Sequence, residues 1–236
     1  GIIKEKHVDF VTFGAVWDGR KGIPDGTMCT YEKSRELGKG YYDIARIRNE
    51  IYPRILVTHD LYNGPVLAAW SAMYDKAFLD KNGIMFNPEI KYSEDSVFSA
   101  RVVYAAKSFY ACEKCYYHYC YNGSSISQSF HKDSWDIGKI RYSFFEKYFK
   151  GCTDFDSDIQ LKRIAMFCVL ISLSEWKSIP DEKGKKEYVK MIFNDSFTVK
   201  AMKSIGVAKV PLKKKILLYL IKFKCVSLYM KIYGRK

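Results

Sequence analysis

Around residue 130 the patterning of this chain changes, and that change constrains the fold more than any single motif. Up to that point short apolar and aromatic runs alternate with Gly, Pro and Asn turns, the signature of strands connected by loops and short helices. Residues 8–14 (VDFVTFG) read as a buried strand. Gly19, Gly22, Pro24 and Gly26 mark residues 17–30 as a loop. Residues 43–57 place Ile44, Ile47, Ile51 and Ile55 at helical spacing, with Pro53 bending or ending the helix. Asn63-Gly64-Pro65 is a turn, 75–82 a short helix stopped by Gly83, and 84–86 a short extended segment. Residues 96–107 are apolar nearly all round, as in a buried helix. Two strands, 108–112 and 115–121, follow, with Glu113-Lys114 as the turn between them. Beyond Lys132 the spacing is helical throughout: 133–150, 158–177 and 181–193, with Gly151 and Pro180 as breaks and Pro211 opening a last helix. The expected fold class is α/β up to about residue 130, a sheet with flanking helices, followed by an α-helical C-terminal region. The expected segments are 1–130, 131–210 and 211–236.

Charge follows the same division. Residues 1–130 hold 16 Lys and Arg against 15 Asp and Glu, whereas 131–236 hold 23 against 11. From Phe197 to the end there are 11 basic residues and no acidic one. A neutral body with a basic tail points to an anionic surface as partner of the tail. The longest uncharged runs in the tail are too short to span a bilayer. On one continuous helix, Lys213, Lys224 and Lys231 would share a polar edge beside Leu217, Leu218, Leu220, Ile221, Phe223, Leu228 and Tyr229. That pattern suits a helix lying in a membrane interface. The competing reading is a helix docked on the body with a solvated basic face. No nucleic-acid-binding motif accompanies the charge, so no nucleic-acid partner is expected.

Seven scattered cysteines do not make a disulfide framework and suit a reducing compartment. Cys112 and Cys115 form a CxxC without a second ligand pair at zinc spacing, so they read as structural thiols and no metal site is expected from them. The chain opens on Gly1 and runs directly into an apolar segment, which suggests a piece of something longer.

The candidate chemistry centres on Glu94-Asp95, behind Ser93 at a helix start. Read blandly, Ser93 is an N-cap and the two carboxylates are stabilised by the helix dipole. Read sharply, one carboxylate is a general base held at a cleft edge. The two are compatible, since a cap also fixes a base in place. Trp70, taken by itself, reads as core packing. His118, mid-strand among tyrosines, reads either as structural or as a diphosphate or metal contact.

The order of segments extends this reading. Trp70-Ser71-Ala72-Met73-Tyr74 leads into a short helix, then Gly83-Ile84-Met85-Phe86, Ser93-Glu94-Asp95, Tyr116-Tyr117-His118-Tyr119 and Ser124-Ser125-Ile126-Ser127. Over residues 1–130 this resembles the later half of family 2 glycosyltransferases of the GT-A type, especially bacterial ones that build surface polysaccharides. The resemblance implies transfer of a sugar from a nucleotide-sugar donor to a glycan or lipid-linked acceptor, with inversion. It implies Asp95 as the base, Glu94 as the neighbour tuning it, and Trp70 and His118 as substrate contacts. It also implies a divalent cation, Mg or Mn, on the donor diphosphate. The Asp-x-Asp motif that holds such a cation in the family is absent before residue 130, and an Arg common near Cys120 or Asn122 is absent too. Asp154-Phe155-Asp156-Ser157-Asp158 has the letters but reads as a solvated turn and helix N-cap. The chain therefore resembles the acceptor-side part of such an enzyme, working at the cytoplasmic face of the cell membrane. The donor half would be a missing N-terminal half, removed, lost or supplied by another polypeptide, and the edge of a truncated sheet invites pairing, so a homo-oligomer is a further expected partner. The alternative is a non-catalytic remnant that binds membrane or a partner.

Overall fold

A computed structural model of the chain describes residues 1–29, 37–65, 68–91, 93–122, 131, 133–205 and 210–234. The chain divides into two compact units, Gly1–Leu56 with Asn63–Ser125, and Val57–Tyr62 with Ile126–Lys236.

The first unit is built on a five-stranded mixed sheet. Its centre is β1 (Phe10–Asp18) paired in parallel with β5 (Ser108–Cys120). β3 (Gly40–Asp43) lies antiparallel on the far side of β5. β2 (Thr27–Met28) and β4 (Ala72–Tyr74) pair antiparallel with the two ends of β1. The register sets Phe10, Phe109 and Tyr42 side by side on three neighbouring strands. Their rings stack at 4.7 and 4.3 Å and are fully buried. Aromatic rows of this kind stabilise a sheet through cross-strand contact as well as burial. α4 (Glu94–Ala105) buries Val97, Phe98, Ala100, Val102 and Val103. Asp9 ties α4 to β5: its carboxylate accepts the N–H groups of Lys107 at 2.7 Å and Ser108 at 3.2 Å.

The structure departs from the sequence reading at five places. β1 runs on through Trp17 and Asp18, which the glycine-rich spacing assigned to a loop. The stretch read as one helix over 43–57 is α2 (Ile44–Arg46), a π turn (Ile47–Ile51) and a 3₁₀ turn (Tyr52–Arg54). Pro53 explains this: it lacks an N–H, and its ring clashes with the carbonyl four residues back, so the α ladder cannot continue. The two strands expected around Glu113-Lys114 are one strand with a bulge, where the β1 register shifts between Thr12 and Ala15. Gly14 permits the close approach, since a Cβ there would lie 2.6 Å from Cys115 Sγ. Ser93 occupies the N-cap position of α4, but with φ of 60° its side chain makes no capping hydrogen bond. The tail is not one helix: α9 (Leu212–Lys222) and α10 (Val226–Tyr233) are separated by Lys224 at φ of 53°. The shared lysine edge expected from a continuous helix is therefore lost.

The second unit is helical. α5 (Ser134–Phe149) and α8 (Ser196–Ile205) pack on α6 (Ser157–Ser174), with α7 (Glu182–Asn194) beside them; α9 rests on α8 and α10, and α10 on α7. Asp156 caps α6, its carboxylate accepting from Ile159 N–H at 2.9 Å, the role read for it from sequence. The buried α6 face (Ile164, Met166, Cys168, Val169, Leu173) meets a core that includes Phe145, Phe149, Val189, Phe193 and Leu218. Segment 57–62 is stitched in by polar contacts. Gln160, fully buried, accepts from Val57 N–H at 3.1 Å, and Lys214 donates to the carbonyls of Asp60 and Leu61.

Candidate active site

Asp95 sits in the first turn of α4, half-buried, directly after Glu94. Burial and the adjacent Glu94 carboxylate push its pKa up from 3.8 to about 6, while a hydrogen bond from the Ala69 backbone N–H pulls the other way. The residue that presents Asp95, Ser93, is in the left-handed region, which is uncommon for a side chain with a Cβ and is held only when surrounding structure demands it. The local geometry thus gives Asp95 a carboxyl that holds its proton to higher pH than an ordinary aspartate does.

Ala69, Trp70 and Ser71 form a single 3₁₀ turn entering β4. The turn places the N–H of Ala69 on Asp95 and the ring of Trp70 against β5. Trp70 lies 4.7 Å from the ring of Tyr117 and 5.4 Å from that of Tyr119. Trp17 meets Tyr119 edge-on at 4.8 Å, and the Arg20 guanidinium lies over Trp17 at 4.3 Å. A wall of four aromatic rings, Trp70, Tyr117, Tyr119 and Trp17, therefore runs along the sheet. A cavity of about 640 Å³ opens beside the same turn, lined by Ala69, Trp70, Tyr74, Met85, Phe86 and Phe98. Phe98 is one helical turn from Asp95 and stacks on Phe86 at 4.3 Å.

Of the residues singled out from sequence, Glu94, Asp95 and Trp70 come together. His118 does not join them. Side chains alternate along a strand, so His118 lies on the face of β5 opposite Tyr117 and Tyr119. There its Nδ1 is 2.7 Å from Asp18 Oδ2, on an exposed ring. Trp17, Asp18 and Arg20 escaped the sequence reading because they fall in the stretch read as loop. The alternation in Tyr116-Tyr117-His118-Tyr119 was the available signal for which rings face Trp70. Residues 124–127, part of the resemblance, lie outside the described residues. Among the described residues, no group of three or more His, Cys, Asp and Glu side chains gathers as a metal site.

No protein-family model matches the chain. Over 213 residues it is 25% identical to the Bacillus subtilis (strain 168) protein named "Putative glycosyltransferase EpsH", covering 86% of this chain and 61% of that one. Among solved structures it matches S. aureus TarS 1–349 with a TM-score of 0.54 at 14% identity, over 99% of this chain and 61% of that one. The same protein in complex with UDP matches with a TM-score of 0.54 at 15% identity. The chain thus shares its fold with part of TarS and resembles part of a protein named as a putative glycosyltransferase. The expected α/β sheet followed by helices agrees with this likeness, and the chain spans 61% of the length of the relatives it matches. Among the described residues, no helix is long and apolar enough to cross a membrane.

Proposed function

We propose that the protein containing this chain is an inverting family 2, GT-A-type glycosyltransferase of surface-polysaccharide synthesis, with Asp95 as its general base. The observation that carries this reading is the Asp95 carboxyl, half-buried, beside Glu94, with its pKa pushed up to about 6. In the proposed reaction Asp95 takes the proton of an acceptor hydroxyl while that oxygen forms a bond to the anomeric carbon of the donor sugar. The bond from that carbon to the diphosphate breaks, and its electron pair leaves with the diphosphate. The Ala69 N–H orients the carboxylate, and Glu94 keeps its basicity high. Trp70, backed by Tyr117 and Tyr119, offers an aromatic face to the acceptor ring.

A nucleotide-sugar donor is supported by the TarS structure in complex with UDP. The donor pocket and its divalent cation would belong to the portion of the relatives' length that this chain does not span. The described residues offer no cluster that fits such a cation. His118, paired with Asp18 on the other sheet face, is a diphosphate contact in this reading only if the donor reaches that face. The acid-free tail, residues 211–236, would hold the enzyme peripherally on an anionic membrane, at the cytoplasmic face where lipid-linked acceptors are presented.

The test is turnover of the full-length protein with Asp95→Asn. Loss of turnover by about 100-fold or more is expected for removal of a general base. Turnover near wild type would reject the assignment.

A further inference from the structure

The first helix of the tail carries an apolar surface of its own. On α9, Leu212, Ile216, Tyr219 and Phe223 all project outward within about 60° of one another, at 100° per residue. All four are exposed, Leu212 at 73% and Phe223 at 67%. The Tyr219 and Phe223 rings lie parallel at 6.2 Å. The opposite side of the helix is fixed: Leu218 and Ile221 are buried, and the Lys214 ammonium is anchored on the carbonyls of Asp60 and Leu61. α10 folds back on α9, the Tyr233 hydroxyl donating to the Lys213 carbonyl at 3.0 Å, and adds exposed Leu228 and Ile232.

Lysines border the stripe, Lys213 on one side and Lys215 and Lys222 on the other. An apolar stripe this regular on a locked helix face is too large to be read as scattered surface residues. We propose that it is inserted into the acyl boundary of an anionic bilayer, with the bordering lysines at the headgroups. Charge decides the occupant. With 11 basic and no acidic residues from Phe197 onward, a second copy of the same surface would bring like charges together, whereas anionic lipid neutralises them. This inference rests on the membrane contact proposed above, and it adds that the contact is apolar insertion rather than electrostatic adhesion alone.

The experiment is co-sedimentation with phosphatidylcholine vesicles containing phosphatidylglycerol. It compares the wild type, Leu212→Ser with Phe223→Ser, and Lys213→Glu with Lys222→Glu. Both serine sites are exposed, so the fold is retained, which circular dichroism checks. Each serine substitution is expected to weaken partitioning by about tenfold. In Phe223→Trp, brominated acyl chains should quench fluorescence beyond the wild-type level. If the serine variant binds like wild type while the glutamate variant does not, adhesion is electrostatic and insertion is overturned. If nothing binds, the membrane contact itself fails. Concentration-dependent self-association lost in the serine variant would assign the stripe to a second copy and overturn the proposal.

Discussion

A carboxyl withdrawn from solvent should cost the fold something, and at Asp95 that cost can be measured without any substrate. Its pKa is pushed from 3.8 to about 6 in the folded chain, chiefly by burial and then by Glu94. A shift of that size corresponds to about 3 kcal/mol of disfavoured ionisation for a fully desolvated group. Asp95 is only half-buried, so solvent screening reduces the expected effect to about 1–2 kcal/mol. The sign follows from proton linkage. Below pH 3.8 the carboxyl is neutral folded and unfolded, and no penalty exists. As pH rises from there to about 6, the unfolded chain releases its proton more readily, and stability falls. Above that range the penalty is complete and constant. Asp95→Asn keeps an oxygen to accept the Ala69 N–H and cannot ionise. Urea unfolding should therefore find the variant more stable than wild type by about 1–2 kcal/mol at pH 7.5, and equal to it near pH 3.5. A variant that is equally or less stable at pH 7.5 would refute the desolvated carboxyl and the argument built on it.

Glu94→Gln removes the neighbouring negative charge, so the acid limb of the kcat/KM profile of the full-length protein should move to lower pH, read by a pH–rate series. Trp70→Ala should raise KM for the acceptor with a smaller change in kcat, since in the proposed reaction the ring binds the acceptor and transfers no proton, and steady-state kinetics separate the two. Lys214, whose pKa burial lowers from 10.5 to about 8, should make the chain gain stability as pH rises through that interval. Lys214→Met should abolish that slope in denaturant titrations at pH 8 and above. Gly64→Ala should destabilise by about 1–3 kcal/mol in urea unfolding, because the added methyl would lie 2.6 Å from the carbonyl oxygens of both Arg54 and Ile55.

The features legible in the sequence were those carried by local patterning. The apolar run of β1, the buried helix α4 and its acidic first turn, and the helical second half all have periodicities that tertiary structure did not override. What escaped depended on partners distant in sequence. Trp17 and Asp18 become strand because Tyr119 and Cys120 lie beside them, and no local rule places residues so far apart in register. The bulge at Cys112 to Lys114 arises because β5 must accommodate Gly14, whereas Glu113-Lys114 alone looks like a turn. The tail was misread for a different reason. Leu, Lys and Tyr continue at helical spacing through Phe223 and Lys224, whereas the fold breaks the run at Lys224 and packs Tyr229, beyond the break, against Trp176 and Phe193. At the site, the pairing of Asp95 with Trp70 was legible as motif order, but the role of the Ala69 N–H and the aromatic backing from β5 was not.

The parallel pairing of β1 with β5 also governs how the chain must assemble. Phe10 meets Phe109, and His118 reaches back across 100 residues to Asp18. Contacts of such sequence separation form slowly, because loop closure precedes any reward from pairing. On a ribosome adding about 5–20 residues per second, β1 would wait some 5–20 s for its central partner to be made. Throughout that wait its apolar residues and open edge are available to any other strand. Yield of this protein should therefore respond to growth temperature and chaperone supply more than its final stability would suggest.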